Sequence, residues 1–299
     1  DYGLGDGRAN NLYAPYSDNI YPFTDLSETG LTGPLVSAWG SLYNVVQQSN
    51  NVIIGITESE VSAAVKNKYI AEARFMRGTA YWYLASLWGD VIITTDPREL
   101  VKNPIVNKNP LKDVYEFAIR DLEFAAKFLP ETAGQAGRLT KYSAYGMLSR
   151  VYLSFSGVSD NPNSGTRKQE YLDLAKKAAE KVITSGVYKL LPNYDDLFKI
   201  DNNNNSESMF ALQWVPNGDY GVTNTHQAYF ALGSDITGDD TGWGYWTRAS
   251  YNVLQEYESA DKRRQATWMA DNDFYPEINK SNGGYTVDHT NDFLTVKKG

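Results

Sequence analysis

The sequence predicts a mostly α chain in which paired helices, stacked as in tetratricopeptide repeats, support an irregular, loop-rich face. Three observations carry that prediction. Apolar residues recur at spacings of three and four through most of residues 36–186. The last three of the helical stretches so marked begin roughly 30 residues apart, near the tetratricopeptide period of about 34, and are Ala-rich where neighbours would touch. After Gly186 the composition turns to Asn, Asp, Gly, Tyr and Trp and the helical period fades.

Residues 1–35, rich in Gly, Asn, Pro and Tyr, show no sustained period and read as irregular loop. Val36, Trp39, Leu42, Tyr43, Val46, Asn50 and Ile53 then mark a first amphipathic helix. A second is predicted over 62–88, with Tyr69, Ala73, Met76, Ala80, Leu84 and Leu87 as its stripe and Gly89 to end it. In the third, Asn109 is placed to cap, Pro110 suits the first position, Leu111, Val114, Ala118, Leu122, Ala125 and Leu129 form the stripe, and Pro130 stops it. Thr140 caps a fourth, which carries Ala144, Met147, Leu148, Val151 and Phe155 and ends near Gly157. The fifth covers 168–185, with Gly186 after it. Beyond it, 209–215 reads as a short strand and helical period returns only at about 250–260. The organisation predicted is one domain over 1–299: loop at 1–35, helical scaffold at 36–186, loop-rich face at 187–299. Long ordered excursions of that kind usually carry function.

Composition narrows the function further. A net charge of −8 repels phosphate backbones and leaves a nucleic-acid binder without its electrostatic footprint. No cysteine is present, which removes thiol nucleophiles, disulfides and zinc-thiolate sites, and two histidines leave few general bases or metal ligands. No apolar run approaches the roughly 18–20 residues that cross a bilayer. Gly3-x-Gly5-x-Gly7 lacks the later Gly and the preceding strand of a dinucleotide fingerprint, and no serine-nucleophile motif or P-loop occurs. The 22 Tyr and 7 Trp are an excess of amphipathic rings, the side chains that carbohydrate and peptide surfaces use. The first residues, Asp1-Tyr2-Gly3, lack an initiator Met and a signal peptide, and Lys297-Lys298-Gly299 closes no element, so both ends read as trimmed.

Four segments resemble the SusD/RagB outer-membrane nutrient-binding proteins of the Bacteroidetes. They are the run Tyr69 to Leu84 containing Glu72-Ala73-Arg74-Phe75-Met76-Arg77-Gly78, with Leu87-Trp88-Gly89-Asp90-Val91 after it; Gly137-Arg138-Leu139-Thr140 leading to Leu148-Ser149-Arg150-Val151-Tyr152-Leu153; Ala175 through Val182-Ile183, then Gly186-Val187-Tyr188-Lys189-Leu190 and Tyr194-Asp195-Asp196-Leu197-Phe198; and Ser206-Glu207-Ser208-Met209-Phe210. They stand in family order over roughly 36–215. The resemblance implies a SusD-like α-α superhelix with a loop-rich ligand-binding face, a surface-exposed lipoprotein held to the outer membrane by an N-terminal lipidated cysteine, and a TonB-dependent transporter of the SusC type as partner. It implies capture of a glycan without catalysis, and some members take peptides instead.

After Phe210, up to and including Trp246, come seven further rings, mixed with short polar side chains. A sugar presents an apolar C–H face and a hydroxyl rim, so its receptor needs flat rings beside such groups. Each ring singly is better explained by packing, since large aromatics are mostly buried; as a group they favour a site. Starch-binding members of the family build an aromatic arc whose Trp follows an Asn-Gly pair. Thr241-Gly242-Trp243 stands in the corresponding place, which makes Trp243 the first candidate, and Asp219-Tyr220-Gly221 resembles the setting of the arc's Tyr. From residues 1–35, which contain no Trp, the resemblance adds Asp6, Arg8 and Tyr16. The alternate Asp201, Asn203, Asn205 and Glu207 resemble the first half of a calcium loop, but the EF-hand Gly is missing and a solvated turn is the default; no metal or other cofactor is required. Two other classes stay open: a tetratricopeptide-like scaffold for a protein partner, and a glycosidase using two carboxylates.

Overall fold

The computed structural model describes residues 3–14, 20–158, 165–214, 230, 232–238, 247–288 and 296–297. Its α-helices are α1 (Tyr21–Thr24), α2 (Gly33–Glu58), α3 (Ala63–Trp88), α4 (Pro97–Lys102), α5 (Leu111–Phe128), α6 (Lys141–Ser156), α7 (Gln169–Ser185), α8 (Ser234–Thr237), α9 (Tyr251–Gln255) and α10 (Lys262–Thr267). Cα packing divides the chain into two compact units, Ser37–Leu190 with Ser206–Leu212, and Asp1–Val36 with Leu191–Asn205 and Gln213–Gly299.

The first unit is helical, and neighbouring helices pack in succession: α3 on α5, α5 on α6, α6 on α7. Sequence signals place most of the helix ends. Gly89 ends α3 at φ 73, and Gly186 ends α7 at φ 68, both in the left-handed region that a Cβ disfavours. Thr140 and Ser143 form a reciprocal capping box at the start of α6. The cap of α5 departs from expectation. Asn109 turns its side-chain oxygen to the Ile93 N–H (2.9 Å), and Asp90 accepts the Leu111 N–H instead (2.8 Å). The cap therefore comes from a residue 21 positions away. The strand expected at 209–215 is likewise absent as far as Trp214: Met209 gives its carbonyl to the Ser143 hydroxyl and lays its sulfur over Gly146, and Phe210 meets Phe75 edge-on at 5.2 Å. With Met209 and Phe210 held against helices in this way, the described residues 209–214 take no strand conformation.

The core centres on α3, buried all round from Arg77 to Trp82. Tyr69, expected on its apolar stripe, is instead 40% exposed. Gly78 lets α5 approach so closely that a Cβ there would lie 2.9 Å from the Ala118 carbonyl oxygen. One residue away, Arg77 donates from Nε and Nη2 to the two carboxylate oxygens of Asp121 (2.7 and 2.9 Å) and from Nη1 to Asn50 Oδ1 (2.6 Å). Asn50 passes the connection on to the Thr94 carbonyl (2.9 Å), and the Tyr81 hydroxyl takes the Thr94 N–H (2.8 Å). Tyr43 brackets Ile92 in the same manner, and burial pushes its hydroxyl up to about 12. Three helices thus meet at one guanidinium, which also lies 4.9 Å from the Phe117 ring centroid, and the chain at Thr94 is tied to them through Asn50 and Tyr81. Farther along, Tyr115, Phe155 and Tyr171 contact one another in turn and join α5, α6 and α7.

The described part of the second unit has little regular structure. Strands β1 (Leu12–Tyr13) and β2 (Arg248–Ala249) pair antiparallel, Leu12 with Ala249, and β3 (Phe274–Tyr275) pairs with β4 (Tyr285–Thr286). Two-residue ladders are too short to stand alone. Each is backed by its own apolar cluster: Leu12, Ala249, Trp268 and Val296 under the first, Met269, Tyr275 and Val287 under the second.

Removing one partner of a buried, doubly hydrogen-bonded ion pair strands the other charge. Asp121→Ala should therefore cost roughly 3–5 kcal/mol in urea unfolding, and Arg77→Leu/Asp121→Leu should recover a large part of that loss. A cost below about 1 kcal/mol, the level of an exposed pair, would contradict this reading.

Candidate ligand-binding site

Among the five expected contacts, Asp6 and Arg8 lie in the described residues, while Tyr16, Tyr220 and Trp243 lie outside them. Gly3–Gly7 form one π-helical turn, closed by the Asn11 N–H on the Asp6 carbonyl (3.0 Å), and Asn10 reverses the chain at φ 58. Arg8 donates from Nε to Glu28 Oε1 (2.8 Å) and rests 5.6 Å from the centroid of the buried Phe23 ring, with a third of its side chain exposed. Asn11 donates to one oxygen of the exposed Asp6 carboxylate (3.2 Å). Among the described residues the terminal N–H groups of Arg8 and the second oxygen of Asp6 make no other hydrogen bond. They are the donors and the acceptor that a rim of hydroxyls requires.

The β1–β2 ladder determines what this turn lies beside. Ser250 donates its N–H to the Asn11 carbonyl (3.0 Å), continuing the pairing of 12–13 with 248–249, so the Asp6–Arg8 turn is stitched to the chain that directly follows Trp246. Thr247 and Ala249 are buried at that junction. The structure thus joins the N-terminal segment to the C-terminal border of the aromatic segment, two parts of the sequence that no local pattern connects.

A concavity of about 640 Å³ in the same unit was not anticipated. Its walls come from the turn at 192–199, from α10 and from β3. Asp195, Asp196 and Glu277 face Lys199, Lys262 and Lys297 there, and Tyr194, Phe274 and Tyr275 supply rings. Lys297 reaches Asp195 (2.6 Å) and Glu277 (3.1 Å) while lying 5.3 Å from the Tyr275 centroid. Burial pulls its ammonium down, and the two carboxylates more than restore it. Behind this wall, Asp273 pairs with Arg264 through both carboxylate oxygens and accepts the Ala270 N–H (2.8 Å) and the Tyr275 hydroxyl (3.2 Å). Only the adjacency Tyr194-Asp195-Asp196 was visible in sequence; Glu277 and Lys297 lie far along the chain and carried no motif.

The Asn-rich run is a turn where it belongs to this unit: Ile200–Asn202 form a 3-10 turn, Asn202 donates to the Asp196 carbonyl, and Asn204 sits at φ 58, bonded to Gln213. No cluster of three or more His, Cys, Asp or Glu suited to a metal occurs among the described residues.

A family model described as "Starch-binding associating with outer membrane", of the SusD-like type, matches residues 17–153. A SusD-like protein of Bacteroides ovatus is 40% identical over 301 residues, 99% of this chain. The chain belongs to the SusD-like family. It spans 53% of the length of that relative. The starch-binding protein SusD of Bacteroides thetaiotaomicron is 29% identical over 56% of this SusD-like chain and 28% of its own. A crystal structure with xylogluco-oligosaccharide is 39% identical, with a TM-score of 0.87 over all of this chain and 60% of that one. The family match covers α1 to α5 and most of α6, including the Arg77–Asp121 pair, so the mostly α architecture of this chain is the SusD-like one.

The wall behind the cleft should be acid-sensitive. Burial pushes the Asp273 carboxyl up, but the Arg264 guanidinium and the Ala270 N–H outweigh it and hold the group below its ordinary 3.8. A depressed folded value stabilises above the unfolded pKa, and that stabilisation is lost as pH falls through the folded one. Amide exchange of 264–287 should therefore accelerate as pH falls below 3.8 once the intrinsic rate is divided out. Asp273→Asn should be less stable at neutral pH and should lack that acid-dependent increment; an unchanged increment would show that another group is responsible.

Proposed function

We propose that this chain captures an oligo- or polysaccharide at the cell surface without transforming it and delivers it to a TonB-dependent transporter of the SusC type. The observation that carries the reading is the 39% identity, over the whole chain, to a protein crystallised with xylogluco-oligosaccharide. The described part of the site supports it: Asp6 and Arg8 leave an acceptor and donors uncommitted on a turn that is latched to residues 248–250, which follow the aromatic segment in the sequence. In this mechanism the rings of Trp243, Tyr220 and Tyr16 take the C–H faces of successive sugars, Arg8 donates to hydroxyl oxygens, and Asp6 accepts hydroxyl protons. Glu28 keeps the guanidinium oriented, so less freedom is lost on binding. Retention at the outer membrane through a lipid, on a cysteine that these 299 residues do not contain, is what the family resemblance implies. No helix among the described residues is long and apolar enough to cross a membrane.

Calorimetric titration with a xylogluco-oligosaccharide and a soluble starch fragment tests this. Trp243→Ala should cost on the order of 1–3 kcal/mol of binding, as expected of an aromatic anchor, with the helical signal unchanged. Arg8→Ala should weaken the same ligand. Shortened products after incubation would point to a glycosidase. Binding of peptides but no glycan would move the reading to peptide capture, and binding of neither to a scaffold for a protein partner.

A further inference from the structure

We propose that the cleft formed by Tyr194, Asp195, Phe274, Tyr275, Glu277 and Lys297 is a second saccharide site, for a short uncharged stretch of glycan, distinct from the one served by Asp6 and Arg8. This rests on the reading of the chain as a glycan-capture protein and extends it. The cleft volume, about 640 Å³, falls in the range of small-ligand sites. Three carboxylates against three ammonium groups leave its lining without net charge, which disfavours an anionic or cationic ligand and suits a neutral one rich in hydroxyls.

The platform is Phe274. Half of this residue is exposed, although it sits on a strand whose other member, Tyr275, is fully buried. Its position is enforced from behind: the ring edge lies only 2.7 Å from where a Cβ on Gly284 would be, and Gly284 adopts φ 101. Only glycine allows that approach. A large apolar ring is thus held at the cleft with one edge backed and the rest open, which supplies a surface for the C–H face of a sugar.

The polar rim is arranged before any ligand arrives. Lys297 is fixed by Asp195, Glu277 and the Tyr275 ring, so the carboxylates beside it keep their orientation. Each carboxylate has lone pairs beyond those Lys297 uses, and these accept from sugar hydroxyls without the cost of ordering a free side chain. Two such sites on one chain would raise the avidity for a polymer over that for a short oligomer.

Hydrogen–deuterium exchange with xylogluco-oligosaccharide tests the assignment, because 3–14 reports the first site and 192–199 with 262–277 reports the cleft. Protection of the cleft peptides is expected in the wild type and in the variant carrying Arg8→Ala and Trp243→Ala. Phe274→Ala should raise the concentration that half-protects them by about tenfold, as the loss of a ring contact would, and Phe274→Tyr should restore it. Unchanged cleft peptides alongside protected 3–14 would overturn the second site and leave the first standing. Cleft protection that vanishes with Arg8→Ala and Trp243→Ala would also overturn it, by showing an effect transmitted from the first site. Protection in neither region would overturn both.

Discussion

A guanidinium and a carboxylate buried to within a few per cent of complete exclusion from water have to be hydrogen-bonded almost in full, and in the helical unit that requirement positions everything around them. Arg77 uses its fork on Asp121 and its remaining edge on Asn50, so α2, α3 and α5 share one three-dimensional register. Apolar packing alone tolerates sliding, because one ridge of side chains resembles the next. A bidentate ion pair does not, since a shift of one residue would leave two charges stranded. Gly78, next to Arg77, makes the geometry attainable by letting α3 and α5 come close enough for the fork to reach.

The irregular unit solves its problem differently. Among its described residues there is no long ladder and no long helix, so turns satisfy much of their backbone polarity, and two small apolar clusters, each under a two-residue ladder, hold them in place. The consequence for function is direct. The Asp6–Arg8 turn owes its place to the β1–β2 pairing rather than to its own conformation, and the Phe274 ring owes its exposure to Gly284. The proposed binding groups are presented by backbone pairings that are separate from the groups themselves, which would leave the side chains free to vary with ligand.

The aromatic excess divides along the same line. Trp39, Trp82 and Trp88 pack in the helical unit, and Trp268 joins an apolar cluster of the other, donating from its indole to Tyr257. For these the packing explanation holds. Trp214, 46% exposed, and Phe274 are of the other kind, exposed rings in the loop-rich part of the chain. Composition could count the rings but could not sort them, because burial depends on which neighbours arrive from elsewhere in the chain.

Local signals in the sequence determined the helices. Gly89 and Gly186 mark ends that need a positive φ, the Thr140–Ser143 box lies within four residues, and the apolar period is a property of each helix by itself. The family was legible for the same reason, since its segments follow those helices; Asp6 and Arg8 entered only as what the resemblance implies. Where a residue had a choice of partners, the tertiary structure decided. Asn109 left its expected capping role for Ile93, Asp90 replaced it, and Met209 and Phe210 pack on helices where a strand was expected. The same holds for Arg77 with Asp121, 44 residues apart, and for Asp195 with Lys297, 102 apart. Periodicity records which face of an element is apolar; which two distant charges become neighbours depends on how the elements pack, and no local pattern encodes that.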